Sequence, residues 1–311
     1  MDSTATDRFE TGRARLASLA YRLLGSASDA EDVVQDAYLR WHAADRARIE
    51  VPEAWLAKVV TNLCLDRLRS APARRERAAG AWLPEPLLDG DPMLGPAETF
   101  EQRESVSIAV LTLMERLAPV ERAVYVLREV FSYPHAEIAG ILDISESASQ
   151  QHLHRARRRV AAARRGGEVD PESARKVLEE FLAAANSGRT ERLVALLTDD
   201  ATAVSDGAGT ARALWRYDTP ERIAAMMRTA FRPSPGRRRL AGGSPAIHIA
   251  RVNGRPAVLA VREDQVVGAV AFEVADGKVA AVHGIAAPER LTRLTAMWHR
   301  LEPETQLIGQ W

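Results

Sequence analysis

The 311-residue sequence predicts a multidomain protein in which two all-α units are followed by one α+β domain. Apolar residues recur at helical spacing from about residue 9 to 77 and again from about 100 to 165. The last third instead alternates apolar and polar residues around Asn253-Gly254 and Asp276-Gly277, two dipeptides that favour tight β-hairpin turns. A chain of this length also suits two or three domains.

Composition and charge exclude several classes of protein. The 42 basic residues balance 42 acidic ones, so the protein is not coated with positive charge. The one cysteine, Cys64, excludes a disulfide framework and a thiolate-rich zinc site. No N-terminal apolar core indicates a signal peptide, and no stretch approaches the roughly 18 apolar residues of a membrane span. We therefore expect a cytoplasmic protein with no membrane partner, metal or cofactor.

The first unit, residues 1–77, contains a strongly specified acidic helix. Residues 28–41 read SDAEDVVQDAYLRW, in which Ser28 and Glu31 have the spacing of a capping box. Apolar residues every three or four positions predict one buried stripe. Asp32, Gln35 and Asp36 lie on the opposite face. Taken alone, they fit either an ordinary solvated face or a site for a basic partner.

The next helix begins at Pro52 and runs into a basic end. Residues 67–77 carry five arginines against one glutamate, which is enough charge to neutralise several phosphates. The candidate DNA-binding residues of this helix are Asn62, Asp66, Arg67, Arg69, Arg74 and Arg75.

Residues 78–104 are predicted to form a linker. They include four prolines and three glycines, a density that forbids a long helix. Residues 85–104 carry six acids against one arginine. This acidic linker therefore separates the basic residues 67–77 from a second arginine-rich segment at residues 155–165. It also contains WLPEP at Trp82–Pro86, where Trp82 is a large apolar side chain among polar neighbours.

The second all-α unit, residues 105–166, ends in a predicted helix-turn-helix. A turn at Asp143–Ser145 separates two short helices, and Ser145 is placed to cap the second one. On a helical wheel Ser149, Leu153, Ala156 and Val160 point inward. The outward stripe consists of residue types that bind base edges and phosphates: Ser147, Gln151, His154, Arg155 and Arg158.

The last unit, residues 170–311, starts at Asp170-Pro171 and has helices first and β-strands after them. We expect an α+β domain with a curled antiparallel sheet. Five polar or aromatic side chains are candidates for lining a pocket in it, although the sequence does not show whether they converge: Asp206, Trp215, Tyr217, His248 and His283.

The order of these segments resembles a bacterial extracytoplasmic-function sigma factor over about residues 8–165. The resemblance rests on DAEDVVQDAYLRW, then PEAWLAKVVTNLCLDRLRS, then LAPVERAVYVLREVFSYPHAEIAGILDIS followed by HRARRRV. WLPEP and the long extension resemble the group of sigma factors with a fused C-terminal SnoaL-like domain. DGAGT at Asp206–Thr210 and APERL at Ala287–Leu291 partly match that group's DGGGK and NPDKL motifs.

The resemblance implies a partner for each segment. Asp32, Gln35 and Asp36 would face the β′ clamp of core RNA polymerase, with further contacts to the β subunit. The helix of residues 52–77 and the loop around His42–Val51 would melt the −10 promoter element and trap an unstacked base of the non-template strand. The helix-turn-helix would bind double-stranded DNA at the −35 element. The acidic linker would follow the positively charged RNA channel of the polymerase.

The resemblance also implies a cone-shaped SnoaL-like barrel that acts as a built-in regulator rather than as an enzyme. A small-molecule ligand of its pocket is an additional hypothesis. We expect Trp82 to dock on a surface loop at Asp206–Gly209. The residues assigned to regulatory contacts between domains are Trp82, Pro84, Glu85, Asp206, Gly207, Gly209, Pro288, Glu289 and Leu291.

Two other functions remain open from the sequence alone. One is a DNA-binding regulator that acts without polymerase, which would need the helix-turn-helix but not the acidic helix. The other is a SnoaL-type isomerase or cyclase fused to a DNA-binding module. A polymerase pull-down distinguishes the first from a sigma factor, and a turnover assay tests the second.

Overall fold

The computed structural model describes residues 3–77, 82–95, 99–161, 169–209, 214–231, 243–300 and 306–308. The chain forms two compact units. The first comprises Met1–Arg77, Gly90–Val106 and Val110–Ala163, and the second comprises Ala78–Asp89, Ser107–Ala109 and Arg164–Trp311. The predicted fold class is confirmed, because helices precede a domain that combines helices with one mixed sheet.

Residues 3–161 are helical wherever they form regular structure. The helices are α1 (Ser3–Leu24), α2 (Ala27–Ala43), α3 (Pro52–Arg77), α4 (Phe100–Glu104), α5 (Ile108–Met114), α6 (Pro119–Tyr125), α7 (His135–Leu142) and α8 (Glu146–Ala161), with a π-helical turn at Val126–Val130. α1 packs against both α2 and α3, and α2 also contacts α3. Among the described helices, none is long and apolar enough to cross a membrane.

The start of α2 differs from the prediction. The N-cap is Ser26, whose hydroxyl accepts a hydrogen bond from the Asp29 amide at 3.1 Å, so the Ser28–Glu31 capping box is wrong. Gly25 ends α1 with a φ of +66°, and Ser26 follows in an extended conformation. The new helix therefore begins at Ala27, earlier than the box requires. The predicted apolar stripe of α2 is nevertheless buried.

The helix-turn-helix is formed by α7 and α8, as predicted. Asp143 adopts the left-handed conformation that ends α7, and the Ser145 hydroxyl accepts a hydrogen bond from the Ala148 amide at 3.1 Å. His135 Nδ1 and Ser149 Oγ lie 2.8 Å apart and join the two helices. α8 also packs against α6, which fixes which of its faces remains exposed.

The segment predicted as one linker is divided between the two units. Residues 78–89 belong to the second unit and residues 90–106 to the first. Within the first, Asp91 is buried and accepts a hydrogen bond from the Met93 amide at 2.9 Å. The second half of the predicted linker is thus a packed part of the helical unit.

The second unit is built on a mixed sheet flanked by helices. The described strands are β1 (Leu197–Ser205), β2 (Trp215–Tyr217), β3 (Ala246–Val252), β4 (Arg255–Arg262), β5 (Gln265–Ala275), β6 (Lys278–Ile285) and β7 (Gln306–Ile308). Their order is β2-β1-β6-β5-β4-β3-β7, with β1 parallel to β6 and all other pairs antiparallel. The prediction of an antiparallel sheet is therefore wrong at the β1–β6 pair, whose strands are far apart in the chain and are not joined by a hairpin. Both predicted hairpins are confirmed, because Asn253, Gly254, Asp276 and Gly277 all have positive φ.

Each face of this sheet has its own apolar core. α9 (Pro171–Ser187), α10 (Thr190–Ala195) and α11 (Pro220–Phe231) cover one face, where the rings of Phe181 and Phe272 meet edge to face at 5.8 Å. The other face is covered by α12 (Pro288–Trp298) and by Leu83 and Leu88 of the WLPEP segment.

Candidate functional site

The acidic face of α2 is exposed and is crossed by one arginine. Asp32, Gln35 and Asp36 all lie at the surface. Arg67 of α3 forms an ion pair with Asp29 at 2.7 Å and extends to Asp32 at 3.5 Å and Asp36 at 3.8 Å. The structure therefore places Arg67 with the acidic face, whereas the sequence grouped it with the DNA-binding residues.

One apolar residue extends this face. Leu39 is 57 % exposed, far more than its neighbours on the buried stripe of α2. It lies three, four and seven positions after Asp36, Gln35 and Asp32, so all four side chains share one side of the helix. Leu39 was not predicted as a site residue, although an apolar residue at this spacing on a polar face was the available signal.

The predicted −10 residues on α3 are only partly described. Asn62 is half-buried, whereas Asp66 and Arg69 are exposed and lie 3.6 Å apart as an ion pair. The side chains of Arg74 and Arg75 lie outside the described residues. The loop before α3 contains a short 3₁₀ turn at Arg46–Arg48 and ends in Val51, which is 56 % exposed.

The outward stripe of α8 has the predicted orientation. Its inward residues Ser149, Leu153, Ala156 and Val160 are buried. Ser147, Gln151, His154, Arg155 and Arg158 are all exposed, so their side chains are accessible to a partner.

The arginines of this stripe differ in their partners. Glu121 of α6, which is almost fully buried, pairs with Arg155 at 3.0 Å and with Arg159 at 2.8 Å. In the part of the chain that the structure describes, Arg158 has no ion-pair partner. Arg155 is therefore held against α6, whereas Arg158 is free to meet an external anion. The sequence did not reveal this role of Glu121, because its position relative to α8 depends on tertiary packing.

The WLPEP segment packs on the C-terminal domain. Leu83 is buried, and its carbonyl accepts a hydrogen bond from the Arg290 guanidinium of α12. The same guanidinium lies 6.0 Å from the centre of the Trp82 ring, within the range of a cation–π contact. Pro84 is also buried, and Glu85 is half-buried.

The residues after WLPEP bind the β3–β4 hairpin. Asn253 has no exposed surface. Its side-chain oxygen accepts a hydrogen bond from the backbone amide of Leu87 at 2.8 Å, and its backbone amide donates one to the Leu87 carbonyl at 2.9 Å. Asp89 pairs with Arg251 at 2.8 Å and accepts from the Gly254 amide at 2.8 Å. We call residues 87–89 with this hairpin the linker clamp. From the sequence, Asn253 was predicted only as a turn residue.

Asp206 was predicted to lie on a surface loop that receives Trp82, but its side chain is buried, so the predicted exposure of Asp206 is wrong. It is 1 % exposed, and its carboxylate accepts hydrogen bonds from the amides of Ala286 at 2.9 Å, Ala287 at 3.0 Å and Ala208 at 3.1 Å. A carboxylate can satisfy several backbone donors at once, so Asp206 ties the end of β1 to the start of α12. Its link to the WLPEP segment is indirect, through the nearby Arg290.

The other predicted regulatory residues surround this junction. Gly207 has a φ of +59° at the turn after β1, and Gly209 ends the same short 3₁₀ segment. Pro288 and Glu289 are exposed in the first turn of α12, whereas Leu291 is buried in the core beneath the WLPEP segment.

The five candidate pocket residues do not all converge, because Trp215, Asp206 and His283 lie on or next to the neighbouring strands β2, β1 and β6, whereas His248 lies on β3. His283 on β6 and His248 on β3 are separated by β5 and β4, which is about 14 Å of sheet. Tyr217 packs against the core under α9 to α11, Trp215 is 51 % exposed, and His248 meets the Trp298 ring at 4.9 Å. These residues assemble no acid–base pair in the described structure.

Burial shifts the pKa of two further side chains, His283 and Cys64. Burial lowers the pKa of His283 to about 4, so this imidazole is neutral near pH 7. Burial raises the pKa of the Cys64 thiol, which keeps it protonated and unreactive. Among the described residues, no group of three His, Cys, Asp or Glu side chains is arranged to hold a metal ion.

Comparison with known families matches three parts of the chain. Residues 9–74 match Sigma-70 region 2, residues 107–160 match Sigma-70 region 4, and residues 178–282 match the SnoaL-like domain. The ECF RNA polymerase sigma factor SigJ of Mycobacterium tuberculosis is 36 % identical over 308 residues, which cover 95 % of this chain and 96 % of the relative. The probable ECF RNA polymerase sigma factor SigI of the same species is 32 % identical over 290 residues, or 91 % and 93 % of the two chains.

A solved structure agrees with the sequence comparison. The crystal structure of the M. tuberculosis extracytoplasmic function sigma factor SigJ superposes with a TM-score of 0.69 at 32 % identity. The match covers 93 % of this chain and 98 % of that one. The similarity therefore extends through both helical regions and the C-terminal domain.

Proposed function

Because this chain belongs to the extracytoplasmic-function RNA polymerase sigma factors, we propose how its surfaces share polymerase binding, promoter reading and regulation. As a sigma factor it binds core RNA polymerase and promoter DNA and directs promoter-specific initiation. The observation that carries this conclusion is a 36 % identical relative that spans 95 % of the chain, including both sigma regions.

The acidic face of α2 binds the β′ clamp of the polymerase in this proposal. Three exposed polar residues and the exposed Leu39 form one side of the helix, which suits a basic partner with an apolar pocket. Arg67 lies across the same face and already pairs with Asp29. Cations of the clamp would therefore compete with Arg67 for the carboxylates of Asp32 and Asp36.

The −10 element is read by α3 and by the loop before it. Arg69 and Asp66 are exposed on α3, and the preceding loop presents the exposed Val51. An apolar side chain beside a cationic helix fits an unstacked base and its phosphate. Asn62 is less exposed than these residues, so we assign it a secondary part.

The −35 element is read by α8. Its outward stripe is exposed, and a helix with this stripe fits the major groove. Arg158 has no ion-pair partner among the described residues, so it is available to a phosphate or a base edge. Arg155 must either keep its contact with Glu121 or exchange it for DNA.

The C-terminal domain regulates through the linker clamp. The connector between the two promoter-reading regions is held by buried Leu83 and Leu88, by Asn253, and by the Asp89–Arg251 ion pair. For the connector to follow the RNA channel of the polymerase, residues 82–89 would have to leave these contacts. The clamp therefore opposes formation of the active complex.

The two rival functions have less support. Membership of the sigma-factor family favours polymerase binding over a regulator that acts without polymerase. Sigma factors are not enzymes, although the SnoaL-like family includes isomerases. His248 and His283 lie apart on the sheet, so these two histidines do not form an acid–base pair in the described part of the domain.

Run-off transcription tests the proposed function. Purified core polymerase, with and without this protein, is supplied with fragments of the source genome, including the region upstream of this gene. We expect a discrete transcript that depends on the added protein. A protein that binds these fragments but gives no transcript with core polymerase would support the polymerase-independent regulator instead.

A further inference from the structure

An open cavity of about 400 Å³ lies within the helical unit, apart from the three surfaces assigned above. It is bordered by α1, by the start of α3, and by the residues that lead into the helix-turn-helix. Its apolar lining consists of Leu16, Leu19, Leu56, Ala57 and Phe131, all of which are buried in the protein. Cavities of this size and lining hold small organic molecules.

One glycine keeps this cavity open. Gly12 lines it from within α1, where glycine destabilises a helix relative to alanine. A Cβ atom built on Gly12 would have no heavy atom within 4 Å, so close packing does not explain the glycine. Its missing side chain leaves space that a ligand can fill.

The rim of the cavity is cationic. Arg8 and Arg15 reach it from positions two turns apart on α1, whereas Glu53 is the one acid among its lining residues. The Arg15 guanidinium lies 5.0 Å from the centre of the Phe131 ring and 5.8 Å from that of Tyr133, which orients it beside the opening. Within the described residues, neither Arg8 nor Arg15 has a carboxylate partner.

We propose that this cavity is a binding site for an amphipathic carboxylate. Its apolar body would pack against the lining leucines Leu16, Leu19 and Leu56, and its carboxylate would bind Arg15 and Arg8. Guanidinium groups bind carboxylates through charge-assisted hydrogen bonds, and a buried apolar body supplies the larger part of the affinity. A neutral or cationic ligand would leave both arginines without an anionic partner.

The occupant would touch both promoter-reading regions. Arg15 and Leu56 come from α1 and α3, whereas Phe131 and Tyr133 precede α7. These regions already meet where the Lys58 ammonium donates to the Gly140 carbonyl at 2.7 Å. Binding would add contacts to this packed arrangement of the two regions.

Calorimetric titration of the full-length protein with decanoate, below its micelle concentration, tests the site. We expect saturable binding with one decanoate per chain and at least a tenfold loss of affinity in Arg15→Gln. Gly12→Leu should remove binding by filling the cavity, and Gly12→Ala should weaken it less. The matched control is Arg13→Gln, because Arg13 lies on the same helix but pairs with Glu10 at 2.8 Å and does not line the cavity.

Two further ligands and one mapping experiment complete the test. Acetate and decyltrimethylammonium should not bind, since the first lacks the apolar body and the second has the wrong charge. Decanoate should slow amide exchange in α1 and around Phe131–Tyr133 in the wild type but not in Gly12→Leu, with circular dichroism confirming that the variant folds. Absence of saturable binding to the wild type, or equal affinity in Arg15→Gln and Gly12→Leu, would overturn the proposal.

Discussion

At the scale of single residues, the buried His283 imidazole makes the stability of the protein depend on pH. His283 has a lowered pKa of about 4 because burial disfavours its charged form. Between pH 4 and about 6.5 the unfolded chain therefore binds more protons at this residue than the folded one does. The contribution of neutral His283 is complete above pH 6.5 and is lost as the pH falls through this window.

The first prediction concerns His283. Between pH 6.5 and 4 the unfolding free energy of the wild type should decrease, and we expect this decrease to be about 3 kcal/mol smaller in His283→Gln, because glutamine does not titrate. Urea unfolding at several pH values measures this difference. The control, His299→Gln at an exposed position, should follow the wild type. Parallel pH profiles for wild type and His283→Gln would show that this imidazole is not held neutral.

The second prediction distinguishes the two arginines of the α8 stripe. If Arg158 contacts a phosphate, Arg158→Ala should weaken promoter binding equally on all sequences. It should also reduce, by about one, the slope of the logarithm of the binding constant against the logarithm of the salt concentration. Arg155→Ala should cost on the order of 1–3 kcal/mol on the intact −35 element if Arg155 reads a base. Binding is measured by fluorescence anisotropy of polymerase holoenzyme on intact and scrambled −35 duplexes.

Glu121 provides the check on this assignment. Its pairing with Arg155 implies that Glu121→Gln frees that guanidinium, so the variant should change affinity only when Arg155 is present. Equal effects of Glu121→Gln in the wild type and in Arg155→Ala would mean that the ion pair has no part in DNA recognition.

At the scale of elements, the sequence predicts those features of helices and turns that depend only on residues close together in the chain. The buried stripe of α2, the Ser145 cap and the outward face of α8 follow from spacing within one helix, and all three are present in the structure. The two Gly-containing hairpins were equally predictable, since a turn depends on two residues.

Contacts between distant segments were not predictable in the same way. Leu87 and Asn253 are 166 positions apart, and only the fold brings them together. Arg67 was grouped with the basic end of α3, but packing of α3 on α2 turns it toward Asp29. Asp206 was expected at the surface, because the sequence does not show that three backbone amides surround it.

The third prediction concerns the linker clamp as an element. Asp89→Asn and Arg251→Gln each break the 2.8 Å ion pair without removing the buried Asn253. We expect both to raise promoter-dependent transcription, since residues 82–89 would leave the C-terminal domain more readily. The double variant should resemble the single ones, because the same contact is lost.

Small-angle scattering and transcription together check this prediction. The control is Arg222→Gln, which breaks a surface ion pair at 3.4 Å between Arg222 of α11 and Asp218 just before that helix, away from the clamp residues. If Asp89→Asn lowers transcription or leaves it unchanged, the clamp does not oppose formation of the active complex.

At the scale of the whole molecule, the neutral net charge conceals a functional division. The acidic face of α2, the basic stripe of α8 and the partly packed acidic connector would each meet a different partner in the initiation complex. The acids of the connector are not all available to a partner in this structure. Asp91 and Glu104 are buried, and Asp89 is paired with Arg251.

The central claim is that this sigma factor recruits core polymerase through the acidic face of α2. Run-off transcription and co-purification with core polymerase test it most directly, using the double variant Asp32→Arg, Asp36→Arg. The control is Glu221→Arg, which reverses the charge of an exposed acid on α11 of the C-terminal domain and leaves α2 unchanged. Circular dichroism should show that both variants keep their helices.

We predict that the double variant loses both co-purification and the transcript, because it places repulsive charge against a basic surface, whereas Glu221→Arg retains them. Undiminished co-purification and transcription by the double variant would contradict the assignment of this face to the polymerase.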